Sequence, residues 1–390
     1  MNVMRLRQAR LLTGMTQIQV VAELSKIGIE LTSAAISKYE KGGSLPSLRV
    51  MNGLARVYGR DMGFFMTEPK ATFSWIGFRK LAALPKPEQK TIMARAELLL
   101  TDYLDLRSTL EPEERPPSWM GGAAEETPEG MEAAAVDLRR EFNLGAGPVP
   151  SLTDLFEKNG GMIVELDTPH EFDGLSGRVN DAIPAFVLKK KTSVDRRRFS
   201  IAHEFAHLAA GVTDDKLAHR FASAFLAPRE AVFSEVGHSR SNIDTSELLI
   251  LKERYGLSMQ AWIRRCLDLG VINNSYYMQF CRMASTRGWR RNEPGDCPQK
   301  ETPTRFRQMV LRAQAEGLIS SRRATELCPE LEAGQIGQSS ARSELHRLLS
   351  MPHSERARAL LPILEAAAAE YLKRDDADLG GCATEVVEYD

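Results

Sequence analysis

Apolar residues recur every three to four positions through residues 3–58, in four short stretches separated by Gly, Thr or Ser-Leu-Pro. That spacing places the apolar side chains on one face of a helix. It predicts one helix in each of the segments MRLRQARLLTG, TQIQVVAELSKIG, LTSAAISKYEKG and SLPSLRVMNGLARVYG. Gly14 is suited to end the first helix and Thr16 to cap the second. Residues 1–68 are therefore expected to form an all-α domain.

After residue 68 the pattern becomes mixed. We interpret residues 69–132 as a helical connector and linker, because residues 87–109 have helical spacing whereas residues 111–132 hold seven Glu, four Pro and three Gly. That composition is typical of a surface linker or mobile loop.

Residues 133–280 show both periodicities and are expected to form an α+β domain. A strand is predicted over 161–166, and two more strands, GLSGRV and IPAFVL, flank a turn at Asn180-Asp181. The basic run KKKTSVDRRR at 189–198 is interpreted as a solvated loop ahead of the next helix, and the alternative is a surface that guides an acidic substrate or DNA.

The remaining residues predict a helical C-terminal region over 281–374, with two helices around Gly317. Residues 375–390 form an acidic tail with six Asp or Glu and no Lys or Arg. Such a tail either stays disordered or covers a basic surface of a partner.

The overall composition is that of an ordinary globular protein, with 43% hydrophobic and 26% charged residues. Its net charge of −1 indicates no particular partner. Five scattered cysteines without a C-x-x-C pair favour reduced thiols over disulfides. Because we find neither a signal peptide nor a run of about 18 apolar residues, we expect a cytoplasmic protein without membrane contact.

The segment His203-Glu204-Phe205-Ala206-His207 carries the clearest chemistry. Two histidines four residues apart share one helical face and can bind one metal ion, such as Zn²⁺. A glutamate beside the first histidine can act as the catalytic general base on a water molecule that zinc acidifies. The alternative is an ordinary helix with two unrelated histidines, but the apolar flanks FSIA and LAA favour a buried pair that needs a partner.

A zinc peptidase needs a third protein ligand, and the next predicted helix offers Asp215, Asp214 and His219. Asp215 and His219 are four residues apart and share a face. Asp214 is also suited to cap that helix, which would leave it no role at the metal.

At this point residues 133–272 resemble a known family. The segments RRRFSIAHEFAHLAA and FASAFLAP, with LFEKNGGMIVEL and FDGLSGR before them, are similar to the ImmA/IrrE metallopeptidases. The resemblance implies a zincin-like α+β fold, His203 and His207 as zinc ligands and Glu204 as general base. The family's third ligand is usually a Glu three residues before the Ala of E-x-x-A-x-x-F-A, and here that position is Asp215, a shorter carboxylate.

Residues 1–68 resemble the lambda-repressor or Xre class of helix-turn-helix domains, chiefly in TQIQVVAEL and TSAAISKYEKG. Nine Lys or Arg against five Asp or Glu give this domain a net positive charge, which suits DNA binding. The recognition helix is expected at about 33–40. The predicted DNA-contacting residues are Ser33, Ala34, Ser37 and Lys38 at the bases, Gln17 at phosphate or as a brace, and Arg5, Arg10 and Lys41 at phosphates.

Two functional hypotheses follow for this multidomain chain. The first is a regulator that binds a double-stranded DNA operator, as a homodimer, and has a zinc endopeptidase domain that cleaves a helix-turn-helix repressor or itself. The second is an antitoxin or ligand-sensing repressor whose peptidase-like domain binds a toxin, another partner or a metal without proteolysis. The shorter carboxylate at Asp215 and the fused DNA-binding domain motivate the second hypothesis.

Overall fold

A computed structural model describes residues 2–68, 71–76, 84–112, 116–168, 172, 174–290, 292–329 and 331. The chain divides into two compact units, residues 1–316 and 317–390. The acidic tail and most of the predicted C-terminal helical region lie outside the described residues.

The N-terminal domain is all-α, as predicted. Its helices are α1 (Val3–Thr13), α2 (Gln17–Lys26), α3 (Ser33–Glu40), α4 (Leu48–Tyr58) and α5 (Met62–Met66). Each begins at a side chain that accepts a backbone N–H, and Thr16 and Gln19 form a complete capping box. Gly14 ends α1 at φ 72°, a conformation that favours glycine. The apolar faces meet in one core that includes Leu6, Val20 and Leu54.

The connector contains a strand that the sequence pattern did not predict. After α5 come β1 (Phe73–Trp75) and the long helix α6 (Lys86–Leu110), which packs on both α1 and the sheet. The three predicted strands are present as β2 (Met162–Leu166), β3 (Gly174–Val179) and β4 (Ile183–Lys189). The sheet order is β1-β3-β4-β2, with β2 and β4 parallel and the other pairs antiparallel. Both turn residues, Asn180 and Asp181, have positive φ, as the tight hairpin requires.

Among the described residues of 111–132, only Trp119 and Met131 are buried, and they anchor this otherwise surface segment to the core. Trp119 is buried, and its ring lies 5.4 Å from that of Phe205, between centroids. The backbone N–H of Gly121 donates to the carbonyl of Leu208 at 3.0 Å. A single aromatic anchor therefore outweighs the polar composition around it, because its burial removes a large apolar area from water.

The helix that carries the two histidines is central to the second core. After α7 (Pro128–Glu141) and α8 (Leu152–Lys158), the chain forms the sheet and then α9 (Val194–Ala209). The helices that follow are α10 (Asp215–Leu226), α11 (Arg229–Glu235), α12 (Thr245–Tyr255), α13 (Met259–Asp268), α14 (Asn274–Thr286) and α15 (Arg305–Ala315). In the part of the chain that the structure describes, no helix is both long enough and apolar enough to cross a bilayer.

The basic run at 189–198 is only partly a solvated loop. It ends inside α9, where Arg197 and Arg198 are buried. Arg198 pairs with the buried carboxylate of Glu301, which also accepts the backbone N–H groups of Leu152 and Thr153 at the start of α8. Hydrogen bonds and pairing offset the cost of burying these charges.

In the second unit, the described helix is α16 (Ser321–Leu327). Together with α15, which ends before Gly317, it matches the predicted pair of helices around that glycine.

Candidate metal centre and DNA interface

Helix α9 presents His203, Glu204 and His207 to the interior, and all three side chains are buried. The one-turn separation of the histidines puts both imidazoles on one face, as the motif predicted. Phe205 lies on another face, within a cluster of aromatic rings from the C-cap of α7, from α8 and from the sheet. The apolar packing of Phe205 thus fixes the rotation of the helix that aims the histidines.

Three potential ligand atoms converge at this point. His203 Nε2 lies 3.1 Å from His207 Nε2, and Asp215 Oδ1 lies 3.7 Å from the first and 4.0 Å from the second. Ligands 2.0–2.1 Å from a tetrahedral zinc ion are about 3.4 Å apart. Two imidazoles and one carboxylate are ligands that zinc accepts, and their spacing fits a zinc site. The carboxylate oxygen lies slightly farther from the two histidine nitrogens than tetrahedral zinc requires. Among the described residues, these three are the one group whose ligand atoms meet in this way.

The orientation of His207 is set by the backbone. Its Nδ1 lies 2.6 Å from the carbonyl oxygen of Val212, in the loop between α9 and α10. A protonated Nδ1 that donates to this carbonyl leaves the lone pair on Nε2, on the side where the three atoms converge.

The three alternatives for the third ligand differ in the structure. Asp214 caps α10 by accepting the backbone N–H groups of Lys216 and Leu217, which agrees with the capping interpretation. Asp215 begins α10 and points to the histidines, although 47% of its side chain is exposed. His219, one turn later, packs its ring beside those of Phe199 and His203 and lies outside the converging group.

Ser176 is a residue at the site that the sequence analysis missed. It is fully buried on β3, and its hydroxyl donates a hydrogen bond to Oε2 of Glu204. This contact joins strand β3 to the general-base position on α9. A serine within a buried strand gives no sequence signal of such a role, because the partner lies 28 residues away.

The predicted recognition helix is α3, with the bounds expected from the sequence. Ser33, Ala34 and Lys38 are exposed on it, Ser37 is half-buried, and Ile36 points into the core. The exposed residues form one face, as a helix that enters the major groove requires.

The end of α3 is held by a charged cluster. Glu40 accepts hydrogen bonds from Arg10 Nε at 2.5 Å and Arg10 Nη2 at 3.0 Å, and from the Gln17 amide at 2.9 Å. The hydrogen bond to Glu40 raises the pKa of Arg10. Gln17 therefore holds the end of α3, and its contact with phosphate stays a prediction.

Arg5 and Arg10, two of the three predicted phosphate contacts, are bonded within the domain. Arg5 is buried and donates to Gln8 and to the carbonyl of Thr67, and Arg10 is committed to Glu40. Both guanidinium groups stabilise the domain from within, whereas Lys41 remains exposed.

Comparison with known proteins gives two matches, in separate parts of the chain. Residues 6–65 match the family model described as helix-turn-helix, which supports DNA binding. Residues 159–267 match the Peptidase M78 family model, described as the IrrE N-terminal-like domain. No curated protein matches the chain. The chain therefore joins a region that is similar to helix-turn-helix domains to a region that is similar to the IrrE N-terminal-like domain.

Proposed function

We propose that this chain is a DNA-binding transcriptional regulator with a zinc-dependent endopeptidase domain that cleaves a helix-turn-helix repressor or itself. The observation that carries the proposal is the convergence of His203, His207 and Asp215 beside Glu204. A helix-turn-helix domain on the same chain brings this site to DNA, where repressors are found.

The roles of the residues follow from their chemistry. A bound zinc ion would supply Lewis-acid polarisation of a peptide carbonyl and acidify water. His203, His207 and Asp215 would hold the ion. Glu204 would take a proton from the attacking water and pass it to the leaving amine, with Ser176 fixing the carboxylate in place.

Zinc content and cleavage test the proposal together. The purified chain should hold one zinc ion, and His203→Ala should hold none. The zinc-loaded chain should cut a tagged Glu204→Gln copy of itself or one of the helix-turn-helix repressors of its own organism. Glu204→Gln should retain zinc and lose cleavage, because its amide cannot accept the proton.

The matched control is Glu230→Gln, which changes an exposed glutamate on α11. This variant should keep both zinc and cleavage. Absence of zinc from the native chain, or equal cleavage by the Glu204→Gln and native chains, would rule out the proposed peptidase.

The second candidate function is an antitoxin or ligand-sensing repressor whose peptidase-like domain binds a partner or metal without cutting it. The observation that favours it is the position of Asp215, 3.7 and 4.0 Å from the histidine nitrogens and half exposed. In that case zinc removal would change operator or partner binding, and no protein would be cleaved.

A further inference from the structure

The sheet has an added edge strand. The strands β2, β3 and β4 all lie within the residues that match the IrrE-like family model, whereas β1 comes from the connector before it. Without β1 the sheet would end at β3, with one row of β3 backbone groups open. An open edge of this kind binds extended peptides by adding a strand.

The pairing of this segment with β3 is regular. Asn180 donates its backbone N–H to Thr72 at 2.9 Å, and Ile76 donates its backbone N–H to Ser176 at 2.9 Å. Between them, Ser74 lies opposite Arg178. Because hydrogen-bonded pairs alternate along antiparallel strands, Ser74 belongs to the hydrogen-bonded set.

The same stretch of β3 contacts the candidate metal centre. Ser176 accepts the backbone N–H of Ile76 through its carbonyl and donates its hydroxyl to Glu204. A peptide paired with this edge of β3 would therefore lie directly beside Ser176, the residue that holds the general base Glu204. The segment from Phe73 to Ile76 occupies that path.

Trp75 anchors the segment on both sides. Its ring covers Gly177, where a Cβ atom would come within 2.8 Å of the ring and of the Ser74 carbonyl oxygen. Its indole N–H donates to Glu97 on α6 at 3.2 Å. Helix α6 also packs on α1, so the helix that holds this strand contacts the DNA-binding domain.

We propose that Phe73–Ile76 is a resident strand that fills the edge at which an extended peptide substrate binds, so that the peptidase site is largely latent, with slow residual cleavage, until the strand leaves. This inference rests on the proposed endopeptidase function. The tether keeps the strand at an effective concentration on the order of millimolar, which a free peptide at micromolar concentration cannot displace.

The test measures peptide binding rather than cleavage. A fluorescent peptide with the sequence of residues 71–76, ATFSWI, is titrated against the full Glu204→Gln chain without added metal, with anisotropy as the readout. Ser74→Pro removes the N–H that faces β3 and should release the strand. Ser74→Ala is the matched control, since it keeps the backbone N–H.

We expect Ser74→Pro to bind the peptide at least about tenfold more tightly than the Glu204→Gln parent, and Ser74→Ala to bind it as the parent does. Trp75→Ala removes the side chain that covers Gly177 and should also tighten peptide binding. If Ser74→Pro does not fold, Trp75→Ala serves as the release variant in its place. Equal peptide binding by folded release variants and parent would overturn the inference.

A second readout separates the two proposals. In the zinc-loaded chain with native Glu204, Ser74→Pro and Trp75→Ala should speed the cleavage of fluorescent unfolded casein at least about tenfold. Tighter peptide binding without casein cleavage by any variant would support the resident strand and count against the peptidase. Cleavage at equal rates by release variants and native chain would support the peptidase and overturn the latency.

Discussion

The helix-turn-helix domain and the candidate metal centre are built in opposite ways. The first uses one contiguous stretch of the chain, in which each helix has its own N-cap and the apolar faces meet in a small core. The second depends on residues far apart: Trp119 packs on Phe205, and Glu301 pairs with Arg198 at the other end of the same helix. Local sequence is therefore sufficient for the DNA-binding domain, whereas the metal centre needs distant contacts to orient its helix.

The two regions also use buried charge for different ends. In the first, Arg10 and Glu40 join α1 to the end of the recognition helix. In the second, Glu301 joins a C-terminal segment to both α8 and α9. Both ion pairs hold one segment of the chain in place against another. Their charged groups face each other and not the solvent, so they do not form a binding surface.

The largest expected effect concerns Glu40. Glu40→Ala leaves the nearly buried Arg10 without its carboxylate, which typically costs about 3–5 kcal/mol of the free energy of unfolding. Hydrogen exchange of the α1–α4 amides in the full chain measures this cost. Glu23→Ala breaks the exposed Glu23–Lys26 pair and should cost less than about 1 kcal/mol. Equal exchange in the two variants would show that the buried pair does not stabilise the domain.

The next prediction concerns Glu157, at the end of α8. Burial raises the pKa of this carboxyl from 4.5 to about 7, against hydrogen bonds from the backbone N–H groups of Arg305 and Thr304. The folded chain therefore keeps a proton that the unfolded chain releases near 4.5. The free energy of unfolding should fall by about 2.5 kcal/mol between about pH 5 and about pH 8.

Urea unfolding of the full chain at both pH values measures this decline. Glu157→Gln should remove it, since an amide does not titrate, whereas Glu230→Gln should leave it in place. A decline that persists unchanged in Glu157→Gln would assign it to other groups. Glu157 lies outside the helix-turn-helix domain, so that domain should contribute nothing to this decline in the free energy of unfolding. The pH dependence therefore separates the two regions.

The third prediction concerns the carboxylate of the metal centre. Asp215→Asn should weaken zinc binding at least about tenfold, because the neutral amide is a poorer ligand. Asp215→Glu should bind zinc at least as tightly as the native chain. Its longer side chain can shorten the 3.7–4.0 Å distances between the carboxylate oxygen and the histidine nitrogens to the spacing of about 3.4 Å that tetrahedral zinc requires. Competition with a chromophoric chelator measures both affinities.

Asp214→Asn is the matched control for this series, because Asp214 caps α10 and does not belong to the converging group. Zinc affinity should be unchanged in it. If Asp214→Asn weakened zinc as much as Asp215→Asn does, the assignment of the third ligand would be wrong.

The smallest expected effect concerns Lys41, the exposed residue at the C-cap of α3. Lys41→Ala should weaken binding to a random-sequence DNA duplex several-fold and reduce the slope of log affinity against log salt by about one. Lys26→Ala, whose ammonium group pairs with Glu23 on α2, should leave that slope unchanged. An unchanged slope in Lys41→Ala would exclude a phosphate contact there, while zinc binding should be the same in all three chains.

The sequence by itself determined the elements with local signals. Gly14, Thr16 and the apolar spacing defined α1 and α2, and the turn residues Asn180 and Asp181 defined the hairpin of β3 and β4. The His203–His207 spacing fixed a shared helical face because helix geometry repeats every 3.6 residues. Each of these signals lies within a few residues of the structure that it predicts.

Only the tertiary structure decided the rest. It placed Asp215, rather than Asp214 or His219, in one group with His203 and His207, and it brought Ser176 to Glu204. It placed β1 on an edge about a hundred residues away in sequence, with too few residues to leave a periodic signal. It also buried Trp119, in a stretch rich in Glu, Pro and Gly, and Arg198, at the end of a basic run, because burial depends on distant packing partners rather than on local composition.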